Sequence, residues 1–95
     1  MPVAWVYIMT NRANGPLYVG VTSDLVKRVW QHRKGVFEGF SSRHGLNMLV
    51  WFEGHDEVVE AIRREKALKN WLRAWKVRLV LEANPGWVDL YPSVL

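Results

Sequence analysis

Apolar residues form three short runs that are typical of buried β-strands. The first covers residues 4–9 and the third covers residues 46–53. Both are apolar at successive positions and rich in β-branched and aromatic side chains, which predicts strands covered on both faces. The second run, residues 17–21, follows a stretch dense in turn formers. The first two strands are therefore predicted to form an antiparallel hairpin.

The first helix is predicted directly after the second strand. Thr22, Ser23 and Asp24 can each cap its start, and Gly35 is a suitable residue to end it. The apolar stripe predicted to face the core comprises Leu25, Val26, Val29 and Trp30.

Two more helices are predicted after the third strand. Asp56 can cap the first of them, a break falls at Asn70-Trp71, and Asn84-Pro85-Gly86 ends the second. Their predicted buried stripes are Val58, Val59, Ala61 and Ile62, and then Leu72, Trp75, Leu79 and Val80. The apolar segment 87–91 is expected to pack back onto the domain. The order β-β-α-β-α-α predicts a small α/β or α+β fold with residues 1–95 as one domain.

The amino-acid composition excludes several kinds of site and several classes of protein. The chain has no Cys, which excludes disulfides, Cys-based zinc sites and thiol nucleophiles. Its apolar runs fall well short of the ~20 residues that a membrane span needs, and no signal-peptide pattern is visible, so a cytoplasmic protein without a membrane partner is expected. The formal charge of +4 is compatible with a nucleic-acid partner, although ordinary domains also reach this value.

Five side chains with catalytic potential lie at informative places on these elements. Tyr7 and Tyr18 lie on the first two strands and share one side of the sheet if the hairpin register matches. Arg28 and His32 are four residues apart and so are neighbours on the first helix. Glu65 falls on or beside the inward stripe of the second helix, which is an unusual place for a solvated charge.

These positions, with the segments around them, resemble the GIY-YIG nuclease family, in particular its small stand-alone bacterial members. The resemblance covers essentially the whole chain. The chain departs from the family pattern at Trp5, where the first motif glycine would stand, and at Val21, where a basic residue is common. Valines replace both motif isoleucines. The matching segments are Trp5-Val6-Tyr7, Tyr18-Val19-Gly20, Arg28, His32, residues 64–76 and residues 84–91.

The resemblance implies a three-stranded antiparallel sheet flanked by helices. It also implies a hydrolase: a magnesium- or manganese-dependent endonuclease that binds DNA and cleaves phosphodiester bonds with one divalent ion. By position, the family's catalytic residues correspond to Tyr7, Tyr18, Arg28, His32 and Glu65, with Glu65 as the metal ligand.

The residue types suit this chemistry. Arg28 can fork onto two phosphate oxygens and stays charged at any working pH. Glu65 is a hard oxygen ligand, and one carboxylate with water and phosphate is a usual Mg²⁺ arrangement. A phenol with a pKa of about 10 is rarely ionised at pH 7. Tyr7 and His32 therefore both remain candidates for the proton acceptor, and the family pattern favours a tyrosine.

Basic side chains on the helices could contact phosphates, and each such contact would steepen the salt dependence of binding. No recognition helix is evident, so weak sequence preference or selection for nucleic-acid structure is expected. The candidate nucleic-acid contacts are Lys27, Arg33, Lys34, Arg64, Lys66, Lys69 and Arg73.

Other interpretations remain open at the level of sequence. The chain could be a nucleic-acid-binding module that has the nuclease fold but little or no turnover. It could also be a protein-interaction domain that uses its apolar tail. Glu65 could simply pair with Lys69, four residues on. Trp71, Trp75 and Trp87 are predicted to belong to the core rather than to a base-stacking platform.

Overall fold

The computed structural model describes residues 1–35 and 45–95. Within them, three strands form one antiparallel sheet in the order β2-β1-β3. The strands are β1 (Ala4–Thr10), β2 (Tyr18–Thr22) and β3 (Met48–His55), and the helices are α1 (Leu25–Lys34), α2 (Val58–Asn70), α3 (Arg73–Ala83) and the single turn α4 (Tyr91–Val94). The predicted α+β fold and its order β-β-α-β-α-α are confirmed, with α4 as an addition.

The register of the hairpin decides which side chains meet. Tyr7 lies opposite Gly20, and Met9 lies opposite Tyr18. Because alternate residues of a strand share a face, Tyr7 and Tyr18 lie on the same side of the sheet, as predicted. In the described residues β2 pairs only with β1, so one edge of the sheet is open beside Gly20.

Each face of the sheet has its own core. On one face, Val6 and Ile8 of β1 pack with Ala61 and Leu68 of α2 and with Val80 of α3. On the other face, the cluster comprises Tyr7, Met9, Leu25, Val29, Leu46 and Leu49. Helix α1 therefore packs on the face that carries both tyrosines, and α2 packs on the opposite face.

Helix α1 begins and ends as its sequence predicts. Asp24 is the N-cap, and its Oδ1 accepts a hydrogen bond from the Lys27 amide at 3.1 Å. The amide of Asp24 in turn donates to Thr22 Oγ1 at 3.1 Å. Gly35 ends the helix at φ 68°, a conformation that glycine adopts without steric cost. Strand β2 and α1 are thus joined by a short turn with its own hydrogen bonds.

The C-terminal segment packs back onto the sheet, as expected. Asp89 Oδ1 accepts hydrogen bonds from the Leu49 amide at 3.1 Å and the Tyr91 amide at 3.0 Å. Its other oxygen, Oδ2, pairs with Arg33 Nη1 of α1 at 2.8 Å. Asp89 therefore links the end of α1 to β3 and the tail.

The predicted buried stripe of α2 is wrong at three of its four positions. Ala61 is buried, but Val58, Val59 and Ile62 are 51%, 61% and 38% exposed. The helix meets the sheet along Ala61, Glu65 and Leu68, and a small sheet can cover only one such narrow line of side chains. The apolar side chains in the first turn of α2 are therefore exposed to solvent.

Other differences from the predictions lie at the ends and surfaces of elements. Strand β3 extends to His55, beyond the predicted end at residue 53, and Glu57 rather than Asp56 is the N-cap of α2. Three more residues predicted to face the core are instead exposed: Trp30, Leu72 and Trp75. Trp75 packs edge-on against Trp71, and the pair borders a groove of about 330 Å³ with part of α3. Trp87 is buried, as predicted.

Candidate active site

The Tyr7 ring lies against the backbone of β2 at Gly20, the residue opposite Tyr7 in the hairpin. A Cβ atom built on Gly20 would lie 2.5 Å from both Cζ and Oη of Tyr7. Such distances are far below van der Waals contact, so any side chain at residue 20 would displace the phenol. The absence of a side chain at Gly20 is what lets the Tyr7 hydroxyl approach the open edge of the sheet.

Three rings from three elements form a cluster around this hydroxyl. The Tyr7 hydroxyl and His32 Nε2 are hydrogen-bonded at 2.8 Å. The Tyr18 ring lies edge-on to His32, with a centroid separation of 5.0 Å, and is tilted against Tyr7 at 6.3 Å. Tyr7 is fully buried and His32 nearly so, whereas Tyr18 is partly exposed. Tyr18 is therefore the tyrosine of this cluster that solvent can reach.

Burial sets the protonation states of the buried pair. Desolvation, and after it the charge of Tyr18, raise the pKa of Tyr7 well above its ordinary value, and Arg28 opposes this only in part. Desolvation, and after it the charge of Arg28, lower the pKa of His32 to about 4. At pH 7 the phenol keeps its proton and the imidazole is neutral.

Arg28 connects this cluster to the surface. Its guanidinium lies close enough to Tyr7 to oppose the rise in the pKa of that phenol. It also lines a polar cleft of about 290 Å³ at the junction of β2 and α1. The other residues that line this cleft are Thr22, Ser23, Asp24, Lys27 and Gln31. The guanidinium therefore has one side on the buried rings and another on an open, polar space.

Glu65 lies on α2, which packs on the face of the sheet opposite to α1. Glu65 is 8% exposed, which confirms the predicted inward position of this residue on the helix. Its carboxylate contributes to raising the pKa of Tyr7, behind the larger effects of burial and Tyr18. Glu65 is not among the residues that line the polar cleft at Arg28. Glu65 Oε1 also pairs with Lys69 Nζ at 2.8 Å, the alternative that the sequence leaves open.

The donor set at Glu65 fits one hard divalent ion. Among residues 1–35 and 45–95, no group of three or more His, Cys, Asp or Glu side chains could enclose a metal. A single carboxylate is nevertheless an ordinary Mg²⁺ anchor, because water and substrate phosphate supply the remaining oxygens. The Lys69 side chain is half exposed but the Glu65 side chain is only 10% exposed, so a bound ion would have to replace the positive charge that Lys69 supplies.

The basic side chains predicted to contact nucleic acid fall into two groups. Lys27, Lys34 and Lys66 are exposed, and Lys27 lines the polar cleft. The other four make contacts within the protein: Arg33 with Asp89, Arg64 with Glu53, Lys69 with Glu65, and Arg73 with the carbonyl oxygens of Asn14 and Gly15. Their contact with nucleic acid stays a prediction, and it competes with these bonds.

Sequence reasoning used Thr22 and Ser23 only as possible caps and missed that they line the cleft. Gln31, three residues after Arg28, was missed as well. Helical spacing around Arg28 could have identified Gln31, because residues three apart share a helix face. Trp5, which departs from the motif, packs edge-on against Phe52 at 5.9 Å and leaves the Tyr7 ring in place.

The fold and this cluster define a nuclease-type domain. Residues 3–78 match the GIY-YIG catalytic domain. The chain belongs to the GIY-YIG family, which is a family of nucleases, so the predicted class of protein is confirmed.

Curated proteins that are similar to this chain carry the name UPF0213. One from Aeromonas salmonicida is 33% identical over 85 residues, which cover 90% of this chain and 62% of that protein. One from Staphylococcus saprophyticus is 31% identical over 78 residues, 82% of this chain and 94% of that protein. The chain thus spans less than two thirds of the length of the Aeromonas relative.

A solved structure supports the same fold. The solution NMR structure of a UPF0213 protein from Bacillus halodurans matches with a TM-score of 0.58 and 27% sequence identity, over 90% of both chains. Each helix in residues 1–35 and 45–95 is too short or too polar to cross a lipid bilayer.

Proposed function

We propose that this protein is a divalent-metal-dependent endonuclease that hydrolyses phosphodiester bonds in DNA. The observation that carries the proposal is the position of Arg28, which lies beside Tyr7, where it opposes the rise in the pKa of that phenol, and also lines an open polar cleft. A cation held in this way is suited to a phosphate, since the cleft admits the anion and Tyr7 orients the guanidinium. Weak sequence preference or selection for nucleic-acid structure is part of the proposal, because no recognition helix is evident in the sequence.

Arg28 would bind the phosphate by paired hydrogen bonds to two of its oxygens. Charge-assisted bonds of this kind are about twice as strong as neutral ones, and they strengthen as negative charge grows on the phosphate. Lys27 lies one residue away on the same cleft and adds a second, exposed cation.

The attacking water would contact Tyr18 rather than Tyr7. Tyr7 is fully buried and its pKa is raised, so it is unsuited to taking a proton from water. We assign Tyr7 and His32 a positioning role: their 2.8 Å hydrogen bond holds the rings between β1 and α1. Tyr18 packs on His32 and is partly exposed, so we assign the contact with water to Tyr18 rather than to the buried Tyr7.

Glu65 would hold the metal ion. A bound Mg²⁺ or Mn²⁺ supplies a Lewis acid that polarises the phosphate. Lys69 neutralises the Glu65 carboxylate through their 2.8 Å ion pair, and it must release one oxygen for the ion to bind. The pair therefore keeps a nearly buried carboxylate compensated until a metal and a phosphate arrive together.

The test is cleavage of supercoiled plasmid and of branched DNA with Mg²⁺ or Mn²⁺. Glu65→Gln and Arg28→Lys should each lose at least about a hundredfold in rate, the scale expected for a positioned charge in a transition state. Glu60→Gln is the matched control, because Glu60 is an exposed carboxylate on the same helix and should leave the rate unchanged. Equal rates for wild type, Glu65→Gln and Arg28→Lys would refute the proposal.

A second candidate is a nucleic-acid-binding module with little turnover. The observation that favours it is the engagement of Glu65 by Lys69, which leaves the metal ligand paired within the protein. Binding that weakens steeply with salt, together with no cleavage under Mg²⁺ or Mn²⁺, would support this candidate over the nuclease.

A further inference from the structure

A second groove opens on the other side of Arg28, towards α2. It has a volume of about 240 Å³ and is walled largely by apolar side chains. Its lining residues are Ala4, Val21, Thr22, Ser23, Arg28, Val58 and Ile62. We propose that this groove receives one unpaired nucleobase, so that the substrates are nucleic acids with unpaired nucleotides at the cleavage site. The inference rests on the proposed function and specifies its substrate class.

The wall contributed by α2 is exposed although it is apolar. Val58 and Ile62 are 51% and 38% exposed, and they lie four residues apart on one face of the helix. Both line the groove, while the equally apolar Val59 between them does not. Contiguous exposed apolar side chains of this kind usually mark a binding surface.

The two cavities beside Arg28 differ in polarity in the same way as the phosphate and the base of a nucleotide do. The cleft on the α1 side is polar and includes Lys27, which suits a phosphate. The groove on the α2 side presents Val21, Val58 and Ile62, which suit the flat apolar face of a base. Arg28 lines both, so a phosphate bound to its guanidinium would place the adjoining nucleoside at the entrance of the apolar groove.

The small volume of the groove favours a single unpaired base as its ligand. Pockets for drug-sized ligands measure roughly 300–1,000 Å³, and this groove, at about 240 Å³, is smaller, which favours a ligand of the size of one base. A base stacked in a duplex must leave its neighbours to enter, which costs a few kcal/mol, and the cost is least for an unpaired base. Apolar side chains contacting the base face can offset that cost.

The experiment measures binding without cleavage. Two fluorescein-labelled DNA hairpins of the same stem sequence are compared by anisotropy in EDTA, one fully paired and one with a three-nucleotide single-stranded flap. Wild type should bind the flap hairpin more tightly. Ile62→Ser should weaken flap binding about tenfold, since about two buried methylene equivalents are lost, and leave paired binding within about twofold. Val59→Ser is the matched control and should bind both hairpins as wild type does.

Val58→Thr provides a second variant with nearly unchanged side-chain shape, so its effect reports polarity rather than folding. It should lower flap affinity in the same direction as Ile62→Ser. Equal wild-type affinity for the two hairpins, or equal losses on both hairpins, would overturn the inference while leaving the nuclease proposal intact. No binding or cleavage of any DNA would instead overturn the nuclease proposal itself.

Discussion

The contact between Gly20 and Tyr7 makes Gly20→Ala a sharp test of how the site is built. The added Cβ would lie 2.5 Å from Cζ and Oη of Tyr7 and 2.8 Å from Cε1. Tyr7 is fully buried among the α1-side core, so its ring has no free space to enter. The methyl group must therefore displace either the ring or the backbone of β2.

Three contributions set the size of the effect. Overpacking of a filled core costs about 1–3 kcal/mol. A displaced Tyr7 hydroxyl also loses its 2.8 Å bond to His32, which costs about 1 kcal/mol. Alanine regains about 0.5–1 kcal/mol in a strand by restricting the unfolded chain. We expect the free energy of unfolding to fall by about 2–3 kcal/mol, and the melting temperature by about 10–20 °C in a domain of this size.

Urea denaturation measures this change directly. Gly86→Ala is the control, because the nearest atom to its added Cβ is the Val88 Cγ2 at 3.5 Å, an ordinary contact. Gly86→Ala should therefore change stability by less than about 0.5 kcal/mol. If the clash is the cause, Gly20→Ala should also cost less in a Tyr7→Ala background than in the wild type. A Gly20→Ala protein as stable as Gly86→Ala would refute the reasoning.

Three further predictions concern the groups around this contact. Burial lowers the pKa of His32 to about 4, whereas its pKa in the unfolded chain is about 6.5. Between these pH values the unfolded state binds more protons than the folded state. The free energy of unfolding should therefore fall by about 3 kcal/mol from pH 7 to pH 4. Urea denaturation of His32→Gln over the same range should lack this part of the pH dependence, and an identical profile would contradict it. Lys69→Gln should lower the Mn²⁺ concentration needed for half-maximal cleavage, because the 2.8 Å ion pair that competes for Glu65 is removed; a higher requirement would show that Lys69 assists metal binding. Asp89→Ala should destabilise the protein by about 2 kcal/mol in thermal unfolding, since the Leu49 amide and other donors lose their acceptor, and an unchanged melting temperature would contradict the assigned link.

Local sequence patterns predicted the order of the elements and which side chains share a face, because these depend on neighbours along the chain. The cap at Asp24, the stop at Gly35 and the hairpin that brings Tyr7 and Tyr18 to one face all follow from local spacing. The adjacency of Arg28 and His32 follows in the same way from helical periodicity.

The errors arose where burial depends on how much partner surface the fold supplies. The apolar pattern at Val58 and Ile62 predicted core positions, but the sheet is too small to cover the first turn of α2. Periodicity indicates which side chains share a face, and it carries no information on whether another element covers that face. The strand order β2-β1-β3 was likewise left undetermined by the sequence pattern.

The position of a bound metal ion tests the central claim most directly. A crystal of the protein soaked in Mn²⁺ can be measured for anomalous scattering, with a Glu65→Gln crystal as the control. The account predicts an anomalous peak about 2.1–2.2 Å from a Glu65 carboxylate oxygen, with Lys69 displaced from that oxygen, and no such peak in Glu65→Gln. A peak at another carboxylate, or the same peak in both crystals, would contradict the assignment of Glu65 as the metal ligand.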